Sequence, residues 1–206
     1  STAKERIAEG RNVCGIHFTN GDAFAVASVM NCEGKELAVR YFKGGKEYTH
    51  RCSKVLEKIE KSQKSRGENA GGRVNQKYWM HLKHLGEQYA HQVSLDIVTF
   101  CKEQDVSVIA FPKYDEEYRR HVLKGAGNFG TLHLSTRIRE YLTYKAWKEG
   151  ILVLDVNAKE MHRICAVCGS KIVQQDKQSK RFVCEEGHQG DVYLNVARNV
   201  AKQCME

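Results

Sequence analysis

Hydrophobic and polar positions change period along the chain, and the changes mark its elements. Residues 13 to 43 carry three short extended runs, VCGIHF, DAFAVASVM and ELAVRYFK, separated by the turn-forming TNG and NCEGK, a pattern that predicts an antiparallel meander. Helical spacing then takes over. Within HRCSKVLEKIEKSQKS, Cys52, Val55, Leu56 and Ile59 share one face, and the polar, glycine-bearing SRGENAGGR that follows predicts a loop. From Asn75 onward Tyr78, Trp79, Leu82, Leu85, Tyr89, Val93, Ile97, Phe100 and Cys101 step by three and four, which predicts a long amphipathic helix.

The next apolar run, VSVIAF, is too short for a helix and rich in β-branched residues, so it predicts a buried strand ending at Pro112. Leu134, Ile138, Tyr141, Leu142 and Ala146 restore helical spacing over residues 133 to 147, and ILVLDVN predicts a second buried strand ending at Asn157. A last helix starts near Asp191 and carries Tyr193 or Leu194, Ala197, Val200 and Cys204. A three-strand meander followed by helix, strand, helix, strand and helix is the element order of the RNase H-like α/β fold, with two parallel strands beside the meander. The expected division is a first part over residues 1–160, a cysteine-bearing insertion over 161–190, and a final helix over 191–206.

Composition narrows the class. At 206 residues, 41% hydrophobic and 28% charged, with 17 Gly and a single Pro, the chain suits a packed globular protein rather than a disordered or fibrous one. No apolar run approaches the roughly 18 residues of a membrane span, and STAKERIAEGRN lacks a signal-type apolar core, so a soluble, cytoplasmic protein with no membrane partner is expected. Of the eight Cys, Cys14, Cys32, Cys52 and Cys101 stand singly inside expected elements, which predicts reduced and mostly buried thiols rather than a disulfide scaffold. The net charge of +8 is compatible with nucleic acid but is a weak signal alone.

The remaining cysteines form a sharper pattern. Cys165 and Cys168 in ICAVCGS are two residues apart, and FVCEEGHQGD supplies Cys184 and His188. Two such knuckles can close the tetrahedron that Zn²⁺ prefers, and four soft or borderline ligands point to a closed structural site. The stretch between the knuckles has few apolar residues, so metal is expected to fold it. His162 and Cys204 are the other candidates for the fourth ligand. A redox C-x-x-C pair is the competing reading, but the flanks lack its βαβ context.

The run YLTYKAWKEGILVLDVNAKEMHRICAVCGS through FVCEEGHQGDVYLNVARNV resembles the C-terminal part of transposon-encoded TnpB proteins and type V CRISPR effectors. In that family a strand leads to a zinc-binding insertion and then to a helix opening near D-x-D-x-x-A-A-x-N-I. The helix with YAHQVSLDIVTFC before VSVIAF is similar to the family's helix before its second catalytic strand. The resemblance spans residues 13 to 204, is strongest from Tyr141 onward, and implies a RuvC-type nuclease domain with a nucleic-acid-facing zinc element.

Such a nuclease is implied to hold two Mg²⁺ ions between an Asp on the first strand, a Glu at the end of the fourth and an Asp at the start of the last helix. Here the family's G-I-D reads Gly15-Ile16-His17, the apolar run ends at Pro112, and G-D-x-D reads Gly190-Asp191-Val192-Tyr193. All three carboxylate positions are replaced. Imidazole, proline and a neutral phenol are poor partners for Mg²⁺, so neither Mg²⁺ nor catalysis is expected. The opposing expectation uses nearby acids, Asp22, Asp115, Glu116 or Asp191; their structural alternative is solvated turns and, for Asp191, a helix N-cap.

Basic candidates for nucleic-acid contact are Lys171, Lys177, Lys180 and Arg181 on the insertion, Arg119, Arg120 and Lys124 after the fourth strand, and Lys61, Lys64, Arg66 and Arg73 near the first loop. Interleaved Glu57, Glu60, Glu116 and Glu117 weaken the last two groups. Tyr114 and Tyr118 could stack on bases or simply pack on the sheet. Three functions follow as expectations: a nuclease-inactive module in RNA-guided DNA binding, for example a repressor; an active nuclease with relocated carboxylates; and a structural interaction subunit. Guide-type RNA, DNA and either a partner chain or N-terminal recognition domains are the expected partners, with nucleoid association when bound to DNA.

Overall fold

Alternating side chains build β1 (Asn12–Phe18), β2 (Ala23–Met30) and β3 (Glu36–Lys43), which pair antiparallel in the predicted meander. The computed structural model describes residues 1–66 and 74–206. Strands β4 (Val106–Lys113) and β5 (Leu152–Asn157) add in parallel, completing a five-stranded sheet of order β3-β2-β1-β4-β5. β4 does not end at Pro112, which pairs with Val156. The ladder to β1 stops at the Gly15–Ala110 pair, so at Pro112 the strand has only β5 beside it, a setting in which proline's missing N–H is tolerated.

The sheet has two apolar faces because successive side chains point to opposite sides. On one, Cys14, Ile16, Phe24, Ile109 and Phe111 pack with α2 (Gly45–Arg66), α3 (Gln76–Glu103) and α5 (Ser135–Lys148). The other carries α6 (Val192–Met205), whose Val196, Val200 and Ala201 meet Ala110, Val13 and Val108. Gly15 allows that close crossing: a Cβ there would lie 2.1 Å from the Ala197 carbonyl oxygen.

Outside the cysteine-bearing insertion, three elements had no counterpart in the periodicity: α1 (Ala3–Ala8), α4 (Glu116–Ala126) and a 3₁₀ turn at Thr131–Leu134. Neither α1 nor α4 buries any residue fully; each has only a short apolar face, Ala3 and Ile7 in α1 and Tyr118, Val122 and Ala126 in α4. The inward face of α6 also differs from the expected one, since Asn195 is buried there while Tyr193 and Leu194 are only half-buried. Cys14, Cys52 and Cys101 are buried, but Cys32 is exposed because it falls in the turn after β2. Arg73 and most of the SRGENAGGR loop lie outside the described residues. Among the described residues no helix is long and apolar enough to cross a membrane.

Candidate functional site

A second, three-stranded antiparallel sheet, β6 (Ile172–Asp176), β7 (Arg181–Cys184) and β8 (Gln189–Asp191), lies between β5 and α6. Its small apolar cluster holds Cys165, Phe182 and Cys184, with Ile172 and Val192 packed against it. Two tight turns shape the knuckles, one before β6 and one between β7 and β8. In the first, the Gly169 N–H donates to the Cys165 carbonyl at 2.8 Å; in the second, the Gly187 N–H donates to the Cys184 carbonyl at 2.9 Å. Both glycines take positive φ, 75° and 81°, conformations that a side chain would strain.

These turns bring Cys165, Cys168, Cys184 and His188 together, with ligand atoms all within 4.8 Å of one another. The Cys168 and Cys184 sulfurs are 3.7 Å apart, and Cys184 Sγ is 3.5 Å from His188 Nδ1. Ordinary Zn–S and Zn–N bond lengths in a tetrahedron require edges of about 3.8 Å and about 3.6 Å. These two edges fit, and the cluster could bind zinc. His162 instead stacks near Tyr118, and Cys204 packs in the core against α6's neighbours, so neither joins the four. Hydrogen bonds also favour thiolate: the Ser170 hydroxyl holds Cys168 below its usual range, and bonds from Ser170 and His188 outweigh burial to bring Cys184 down to about 6.

The first knuckle is docked on α6 by polar side chains. Asn195 Oδ1 accepts from the Ala166 N–H and its Nδ2 donates to the Ile164 carbonyl, both at 2.8 Å. Asn199 Nδ2 donates to the carbonyls of Met161 and Ile164, at 2.7 and 2.9 Å, and Lys202 Nζ donates to the Ala166 carbonyl. Sequence reasoning overlooked these residues, although their spacing of four and three along one helix, on a face otherwise apolar, was the available signal.

At the start of α6 the structure also brings His17, Pro112 and Tyr193 to one cleft of about 730 Å³, at the carboxyl ends of β1 and β4. The His17 and Tyr193 rings stack at 5.7 Å, and His17 Nε2 lies 3.0 Å from the Tyr114 hydroxyl. Burial, partly opposed by Asp191 and reinforced by His162, pushes His17 down to about 4, so its imidazole is neutral at pH 7. Burial likewise raises Tyr114 and Tyr193, which keeps both phenols protonated.

Four of the nearby acids have partners of their own. Asp191 is the N-cap of α6, accepting from the Tyr193 N–H at 2.8 Å and from the Tyr41 hydroxyl at 2.6 Å. Asp115 caps α4 by accepting from the Tyr118 N–H at 2.7 Å. Asp155, which the sequence did not single out, lines the cleft and pairs with Arg139 at 2.5 Å. Glu116 pairs with Arg120 at 3.8 Å, and Asp22 sits in the bend before β2.

The basic candidates do not form one surface. Lys177, Lys180 and Arg181 are exposed together around the β6–β7 turn, whereas Lys171 lines a separate groove of about 730 Å³ with Arg163, His162 and Gln174. Arg119 faces the cleft from α4, while Arg120 turns to Glu116. Lys64 is paired with Glu60.

A mixed α/β sheet of RNase H-like order, bearing a Cys₃His insertion before its last helix, defines the class of fold. Residues 136–200 match the family described as Cas12f1-like, TNB domain, about a third of the chain. In structure the chain is similar to a Cas12f1–sgRNA–target DNA complex (TM-score 0.72, 12% identity, covering 92% of this chain and 49% of that one). It is also similar to a CRISPR-Cas12f ternary complex (0.70, 15%, 92% and 38%) and to an AacC2c1–sgRNA binary complex (0.67, 10%, 98% and 40%). The chain thus spans about half or less of the length of these neighbours. No curated protein matches it in sequence. Residues 136–200 are thus similar to the Cas12f1-like TNB domain, and the chain as a whole shares the fold of these Cas12-type structures.

Proposed function

We propose that this chain is the RuvC-like, zinc-bearing part of an RNA-guided DNA-binding effector that holds its target without cutting it. The observation that carries the reading is the meeting of His17, Pro112 and Tyr193 in one cleft, where a neutral imidazole, a proline and a protonated phenol replace anionic oxygens. A pair of Mg²⁺ ions needs several such oxygens at near-octahedral geometry to activate water. Binding then acts by occupancy, as in transcriptional repression, in the cytoplasm and at the nucleoid.

The similar structures in complex with sgRNA and with target DNA support guide RNA and DNA as partners, and their greater length supports recognition domains or a partner chain beyond these residues. Cys165, Cys168, Cys184 and His188 would hold a structural Zn²⁺, whose ligation supplies the folding free energy of a segment with little core of its own. The division into residues 1–160, 161–190 and 191–206 belongs to the same proposal. Lys177, Lys180, Arg181, Lys171, Arg119 and Arg120 would supply phosphate contacts, with Arg120 the weakest because Glu116 neutralises it.

The test is reconstitution with RNA co-purified from the native host and the DNA it specifies. Retained, RNA-dependent DNA binding with no product in Mg²⁺ or Mn²⁺ is expected. Metal-dependent cleavage would favour the alternative, a nuclease using Asp191 or other relocated acids.

A further inference from the structure

We propose that the cleft at His17, Pro112 and Tyr193 is a nucleobase pocket, which takes one unpaired base of a single strand with its phosphates at the rim. This rests on the reading above and gives that site a ligand. A two-metal site would draw the phosphate deepest, toward the ions. Here the deep end is neutral and aromatic: His17 and Tyr193 stack, Tyr114 bonds to His17, and the Tyr114 and Tyr118 rings lie 4.8 Å apart. A phosphate placed there would lose its water and gain no cation in return.

The rim has the opposite character. Asp155 and Glu116 are neutralised by Arg139 and Arg120, while Lys113 and Arg119 line the same cleft with no acidic partner within 4.0 Å among the described residues. Aromatic floor and cationic rim match a nucleotide turned base-inward, and stacking needs no particular base because every base has a π-face. The roof is suited to admitting one. α4 contributes Tyr118, Arg119, Val122 and Leu123 to the cleft yet has no fully buried residue, so it lies over the opening without being locked into the core. Tyr118 itself remains 40% exposed at the mouth, between Tyr114 and His162.

The experiment compares two strands of equal charge, a single-stranded DNA of about ten nucleotides and its fully abasic counterpart, binding the whole chain in buffer without Mg²⁺. The base-bearing strand is expected to bind about tenfold tighter, the effect of one stacked base, and Tyr118→Ala should erase that difference. Tyr118→Trp places a reporter at the mouth, and its emission should be quenched saturably by the base-bearing strand and not by the abasic one. Arg119→Gln should weaken both strands alike and reduce the salt slope by about 0.7.

Equal affinity for the two strands, or a preference that survives Tyr118→Ala, would overturn the pocket. That result would leave RNA-guided binding through other surfaces untouched. Conversely, metal-dependent cleavage by the reconstituted complex would overturn the inactive reading while the base preference, measured without Mg²⁺, stayed separately readable.

Discussion

The imidazole of His17 stacks on the phenol of Tyr193 with 28° between their planes, joining the end of β1 to the first turn of α6. Under the proposed register this contact stands where the resemblance implies two metal-binding carboxylates, and it joins the two elements by ring attraction rather than through a metal.

The first prediction concerns repair of that junction. His17→Asp alone should restore no cleavage in Mg²⁺ or Mn²⁺, because Pro112 and Tyr193 still offer no anionic oxygen. Product analysis on labelled DNA checks this, with Asp191→Ala as the control. Wild-type cleavage abolished by Asp191→Ala would show that the acid now capping α6 is a metal ligand instead.

Acid should destabilise the protein partly through His17. Its folded pKa, about 4, lies below the unfolded value of about 6.5, so between them the unfolded chain binds the extra proton. The stability is complete above the unfolded value and is lost as pH falls through the folded one, amounting to about 1–3 kcal/mol for a partly exposed ring. Zinc ligands also protonate in acid, so the measurement is the difference between wild type and His17→Gln in denaturant melts from pH 7 to 4. A constant difference across that range would rule the mechanism out.

Elemental analysis of protein purified without chelator should find about one zinc per chain, and Cys168→Ser should abolish it. Hydrogen exchange in that variant should rise across β6, β7 and β8 while β1, β2 and β4 stay protected, because the metal supports the small sheet and the main core is independent of it. Asn195→Ala should weaken the docking of the first knuckle by about 1–3 kcal/mol, since it leaves the Ala166 N–H and the Ile164 carbonyl without partners. Its zinc content should be unchanged.

Replacing Lys177, Lys180 and Arg181 together by Ala should lower affinity for duplex DNA and flatten its salt dependence by up to about 2.7 in log–log slope, at about 0.9 for each phosphate contact. Arg120→Ala should change little because Glu116 already neutralises it. An unaltered slope in the triple variant would mean that the β6–β7 turn faces away from DNA.

Local chemistry was legible in the chain wherever neighbours in sequence do the work. The meander and the long α3 are written in periods of two and of three to four; the cysteine knuckles depend on spacings closed by Gly169 and Gly187; and Asp191 caps the helix that it precedes. The expectation that carboxylates are replaced at Gly15-Ile16-His17 and Gly190-Asp191-Val192-Tyr193 rests on the register that the resemblance supplies. Relations across the fold could not be read in this way. That α4 roofs the cleft, that Asp155 is quenched by Arg139, that Arg119 and Arg120 have opposite fates, and that Asn195 is buried against the knuckle all depend on contacts between distant segments. A side chain's charge and size are properties of its residue, but burial and partnership are set by what packs opposite it. Only the tertiary structure decided that His17, Pro112 and Tyr193 meet in one cleft with the His17 and Tyr193 rings stacked.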